Sequence, residues 1–206
     1  MQVLPPPTAG GMVAVVSGLP RSGTSLLMRA LDAGGLQALT DGERSGDSRN
    51  PHGYFELEAV KSANDYRGWI GSARGKVVKV VSRQLSRLPP TQRYDVMFVR
   101  RDMQAILRSQ RDMASHHAEA SWDEHAVSEL GGIYQVHVEE CLAWLRLRPN
   151  VRLHEIWYED MLSSPESVFA GLAVFLEPRR LQTAAMVACV DPSLNHARLS
   201  AEQPNV

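Results

Sequence analysis

The chain has 206 residues, of which 44% are apolar and 22% charged, and its formal net charge is −1. That length suits one domain with short trimmings, and the composition excludes the disordered and fibrous classes. Near neutrality and 6% aromatic residues argue against a nucleic-acid partner, because the basic residues lack interleaved stacking groups.

Charge is nonetheless uneven. Between Arg74 and Arg111 there are ten Lys or Arg and two acids, Asp95 and Asp102. A local positive basin in a neutral protein fits a compact anion, whereas the scattered Arg83, Arg87 and Arg93 read as a solvated face. Two cysteines, Cys141 and Cys189, offer neither ligand spacing nor a disulfide framework, so a cytoplasmic setting is expected.

In chain order, residues 1–11 carry a proline triplet and two glycines without a signal-peptide pattern, and read as an N-terminal arm. Met12 to Ser17 is an unbroken, valine-rich run, as expected of a strand buried on both faces. It is too short to cross a bilayer, so no membrane association is expected. Leu26, Leu27, Ala30 and Leu31 then follow helical spacing, with Gly34-Gly35 as the stop. Residues 40–53 are polar and turn-rich, a loop long enough to be functional. Phe55 to Trp69 is predicted helical, Lys76 to Val81 and Tyr94 to Val99 as strands, and Asp102 as the cap of a helix carrying Ala105, Ile106 and Ser109. A long helix is predicted over Glu124 to Leu147, a strand over Val151 to Trp157, and helices over Glu166 to Leu176 and Leu181 to Cys189. Alternating strands and helices predict an α/β three-layer sandwich around a central parallel sheet of about four to five strands. The domain is expected over residues 12–195, followed by a tail, 196–206.

Gly18-Leu-Pro-Arg-Ser-Gly23-Thr24-Ser25 lies between a buried strand and a helix start, the setting in which backbone N–H groups cradle a phosphate. It follows the triphosphatase pattern G-x-x-x-x-G-K-[ST] except that Thr24 replaces the lysine. The strand ending at Val99 runs into Arg100-Arg101 instead of a magnesium-holding acid. Both departures argue against ATP hydrolysis.

These residues resemble a known family. Leu19-Pro20-Arg21-Ser22-Gly23-Thr24-Ser25 is similar to the 5′-phosphosulfate loop of sulfotransferases, which use 3′-phosphoadenosine-5′-phosphosulfate (PAPS). Arg101 and Ser109 match the family's second signature, an arginine after a strand and a serine eight residues later. Tyr158-Glu159-Asp160-Met161 resembles a third, and Asn50-Pro-His-Gly-Tyr-Phe-Glu56 is similar to small bacterial members. The resemblance spans residues 12–195 and implies a phosphate-loop fold, PAPS as co-substrate without a metal, and a small-molecule acceptor. It places Pro20, Arg21, Ser22, Gly23, Thr24 and Ser25 around the 5′-phosphate, and Arg101 and Ser109 around the 3′-phosphate. An arginine fork suits such an oxyanion.

The family's chemistry is an in-line sulfuryl transfer, stabilised by positive donors and assisted by a base. Arg21 and Lys79 are the candidate donors; Lys79 corresponds to the lysine of a family Lys-Thr-His strand. Val81 stands where that strand has its catalytic histidine. Glu56 is the candidate base, with helix capping as its competing reading; His52 is a weaker one. Leu26 stands where many members stack a tryptophan on adenine, and the C-terminal Arg-Lys-Gly segment is missing, with Arg198 as a possible substitute. His116-His117 lacks partners at metal-ligand spacing and reads as polar loop. Two alternatives compete with sulfuryl transfer: a non-catalytic module binding the same nucleotide, and a phosphate-loop small-molecule kinase. Acceptor identity and oligomeric state are not written in the sequence.

Overall fold

The computed structural model describes residues 11–41, 53–61, 66–115 and 124–191. Strands β1 (Met12–Gly18), β2 (Val77–Lys79), β3 (Arg93–Arg100) and β4 (Val151–Trp157) form one parallel sheet in the order β2-β1-β3-β4. β1 and β3 are its centre, paired from Met12 with Arg93 to Gly18 with Val99. An additional single bridge joins Ala38 to Val77 beyond β2.

Each central strand feeds two cores, because successive side chains point to opposite faces. Val13, Val15, Val96 and Phe98 pack with Trp69, Val138 and Leu142 on one side. Ala14, Val16, Met97 and Val99 pack with Leu27, Leu31, Phe169 and Leu172 on the other. The first layer is contributed by α2 (Glu58–Lys61), α3 (Tyr66–Ala73) and α5 (Glu124–Arg146). The second is formed by α1 (Thr24–Ala33), α6 (Tyr158–Ser163), α7 (Pro165–Phe175) and α8 (Thr183–Ala188). The helix α4 (Met103–Ser115) follows β3, and the Asp102 carboxylate accepts the Ala105 N–H at 2.8 Å, capping it as expected. The architecture is therefore the α/β/α sandwich that the sequence predicts. Asp95, fully buried in β3, is held by Arg152 and Arg179.

Two elements differ from expectation. No helix begins at Phe55, whose φ of 51° is left-handed and incompatible with a right-handed turn; α2 starts only at Glu58. The second strand stops at Lys79 instead of Val81. Val80 still donates to the Val16 carbonyl at 3.0 Å, but the chain then enters a 3₁₀ helix over Ser82–Arg87. The arm before Gly11, the centre of the polar loop (42–52, with His52), residues 116–123 with His116 and His117, and the tail with Arg198 lie outside the described residues. Among the described residues, no helix is long and apolar enough to cross a membrane.

Candidate functional site

The loop between β1 and α1 is shaped by contacts that only glycine permits. Gly23 precedes α1 with φ 101°, and a Cβ there would lie 2.3 Å from Tyr158 Cδ2. A Cβ on Gly18 would lie 2.5 Å from Ser22 Oγ and 2.6 Å from the Val99 carbonyl. The loop thus sits directly on the end of β3 and on the first residue of α6. Its turn is closed by Ser22 N–H donating to the Leu19 carbonyl at 3.1 Å, and α1 opens with Leu26 N–H on the Gly23 carbonyl. The first N–H groups of such a helix have no intrahelical acceptor, and its dipole favours an anion.

The predicted side chains gather around this loop. Arg21, itself at φ 73°, donates through Nε to Ser109 Oγ at 2.9 Å. Arg101 donates through Nη1 to the Arg21 carbonyl at 2.8 Å, with its guanidinium 4.2 Å from the centre of the Tyr158 ring. The two anion cradles that the sequence suggests, at the loop and at Arg101 with Ser109, are therefore joined by direct hydrogen bonds. Burial lowers the Arg101 pKa, opposed by the neighbouring Tyr158 and Glu159, while burial raises that of Tyr158. Lys79 donates from Nζ to Ser25 Oγ at 3.1 Å and to the Tyr54 carbonyl at 2.8 Å.

Ser22 is 1% exposed, and its hydroxyl has no hydrogen-bond partner among the described residues. A buried polar group in that state costs roughly 1–3 kcal/mol until something satisfies it. With Arg21, Thr24, Ser25 and Lys79 around it, the loop fits the oxygens of a phosphate or sulfuryl group. Arg101 and Ser109 fit a second phosphate, since Ser109, while accepting from Arg21, keeps its own proton to donate.

Beside the loop opens a cavity of about 610 Å³. Leu19, Leu57, Val60, Val81, Ile133 and Tyr134 give it an apolar wall, and Glu56, Lys79, Ser82 and His137 bring polar groups. The Glu56 carbonyl accepts from Thr40 Oγ1 at 2.8 Å and from the Asp41 N–H, fixing the backbone that carries the side chain. Asp41 accepts the Glu58 N–H at the start of α2, and Glu56 precedes that helix by two residues. Tyr134 donates to Gln110 Oε1 at 3.0 Å, and Gln110 donates to the Pro20 carbonyl at 3.3 Å, linking this wall to the loop.

Sequence reasoning missed four participants: Tyr158 as the support of Gly23 and Arg101, Gln110, Ser82 and His137. Only Tyr158 stood in a recognised motif. Glu159 in that motif also accepts the Asp102 N–H at 3.1 Å, tying β4 to the start of α4. Among the described residues, no group of three His, Cys, Asp or Glu is placed to hold a metal ion.

No family model matches the chain, and no curated protein is similar to it in sequence. Solved structures do match. The sulfotransferase domain of the Synechococcus PCC 7002 olefin synthase has a TM-score of 0.58 at 14% identity, covering 95% of this chain and 90% of that one. Sulfotransferase STF9 from Mycobacterium avium has a TM-score of 0.54 at 13% identity, covering 94% and 69%. The sulfotransferase domain from the curacin biosynthetic pathway has a TM-score of 0.50 at 16% identity, covering 94% and 92%. The chain thus has the sulfotransferase fold, in agreement with the resemblance carried by its loop and its arginine–serine pair.

Proposed function

We propose that the protein is a sulfotransferase that moves a sulfuryl group from PAPS to a hydroxyl or amine acceptor without a metal. The observation that carries this reading is the convergence of Arg21, Arg101 and Ser109 on a phosphate loop that has no lysine in its signature position. When bound, PAPS supplies an electrophilic sulfuryl group on a phosphate leaving group. Arg101 and Ser109 hold the 3′-phosphate. Pro20 to Ser25 surround the 5′-phosphate, with Ser22 and the start of α1 as donors. Arg21 and Lys79 face the charge that builds on the bridging oxygen; removing one such donor typically costs about 10²–10³ in rate. The apolar cavity receives the acceptor, and Glu56 on its wall is one candidate to take the acceptor's proton.

Calorimetry with adenosine 3′,5′-bisphosphate tests the reading. The bisphosphate should bind more tightly than ATP, and magnesium chelation should leave its affinity unchanged. Arg101→Ala removes charge-assisted hydrogen bonds of about 1.5–3 kcal/mol, which corresponds to roughly tenfold to a hundredfold weaker binding. Preferential, magnesium-dependent binding and turnover of ATP would overturn the proposal in favour of a kinase. Bisphosphate binding with no transfer to any acceptor would leave a non-catalytic module.

A further inference from the structure

The cavity beside the phosphate loop also holds a hydroxyl–imidazole pair that no motif announces. Ser82 Oγ, at the first residue of the 3₁₀ helix, lies 2.9 Å from His137 Nε2 on α5, and both residues line the cavity. Ser82 is 3% exposed and follows Lys79 by three residues, so the pair sits on the segment that carries the lysine touching Ser25. A serine hydroxyl that donates to an imidazole nitrogen presents its oxygen lone pairs to whatever occupies the space beside it. An imidazole whose Nε2 carries no proton accepts that hydroxyl proton, which makes the pair a route for a proton leaving the cavity.

We infer that Ser82 and His137 form the proton-accepting unit for a hydroxyl acceptor with an apolar body, bound in this cavity. The inference rests on the sulfotransferase reading. In the transfer, the acceptor's proton moves to Ser82 Oγ while the proton of Ser82 passes to His137 Nε2. The freed electron pair forms the new O–S bond, and the S–O bond to the 5′-phosphate breaks with its electrons left on the phosphate oxygen. Ser82 contacts the acceptor and His137 acts through it. The apolar wall of Leu57, Val60, Val81 and Ile133 selects the body of the acceptor by burial.

The test uses the full chain with two phenols, 2-naphthol, which stays protonated near neutral pH, and 4-nitrophenol, which ionises in that range and whose anion needs no base. His137→Gln and Ser82→Ala should each slow transfer to 2-naphthol by about 10²–10⁴-fold, and transfer to 4-nitrophenol by less than about tenfold. The double variant should be no slower than either single one, because groups acting as a unit are not additive. Affinity for adenosine 3′,5′-bisphosphate should stay within about twofold of the wild type, which also shows that the variants fold. In the bisphosphate complex, the ring-nitrogen NMR signals of His137 should shift on titration with 2-naphthol. Equal losses with both phenols, no shift of His137, or a naphthol-selective loss in Glu56→Gln instead would each overturn the inference. So would a wild type that binds the bisphosphate yet sulfates neither phenol. Failure of the wild type to bind the bisphosphate would instead sink the sulfotransferase reading beneath it.

Discussion

Replacing Gly23 with alanine strikes the point where the loop, α6 and β3 meet. The residue holds φ 101°, a conformation that costs an L-residue about 1–2 kcal/mol. The added methyl would lie 2.3 Å from Cδ2 and 2.9 Å from Cε2 of Tyr158, well inside contact distance. That ring is 8% exposed and has the Arg101 guanidinium packed on it, so it has little room to retreat. Overpacking of this kind costs about 1–3 kcal/mol. The sum, about 2–5 kcal/mol, should lower the melting temperature by roughly 4–20 °C, at 2–4 °C per kcal/mol for a domain of this size. Any retreat of Tyr158 also displaces Arg101, so bisphosphate affinity should fall with stability. Calorimetric melts of Gly23→Ala in the wild-type and Tyr158→Ala backgrounds separate the two contributions. With the ring removed, only the backbone cost of about 1–2 kcal/mol should remain. An equal cost in both backgrounds would refute the contact argument.

Two further outcomes follow from charges within the fold. Burial lowers the His154 pKa, so below its ordinary value of about 6.5 the unfolded chain takes up a proton that the folded chain resists. His154 therefore contributes stability that is present above that pH and lost as the pH falls toward the folded value. His154→Phe, which keeps a ring against Phe175, should flatten melting temperature against pH in this range, and parallel curves would contradict the assignment. Asp95→Ala leaves Arg179 with its carboxylate removed at a fully buried position. A loss of about 3 kcal/mol is expected in urea unfolding; a loss under about 1 kcal/mol would show that the arginines re-pair at no cost.

The sheet was legible because its strands carry valine-rich runs and its helices carry periodic apolar faces. Val151 to Trp157 is found with the expected limits, and Asp102 caps α4 as its position suggests. The loop between β1 and α1 was legible from its glycines after a buried run, whereas Arg101 and Ser109 were singled out by the family resemblance. What spacing does not encode is contact between distant segments. His137 and Ser82 are 55 residues apart, and a half-buried histidine on an amphipathic helix carries no local mark of a partner. Phe55 misled for the opposite reason. The residues after it favour a helix, but Phe55 takes a φ of 51° and packs against the core beside α1, and the helix starts only at Glu58. Glu56, expected at the start of a helix, lies two residues before α2 and lines the cavity.

The bond from Arg101 to the main chain of Arg21 spans 80 positions of sequence. Arg101 rests in turn on Tyr158, whose ring meets Gly23. The working part is consequently not a contiguous peptide but three short stretches that must be inherited together. Transplanting residues 18–25 alone into a scaffold lacking the other two would deliver the glycines without their brace, and the graft would carry the letters of the motif without its grip.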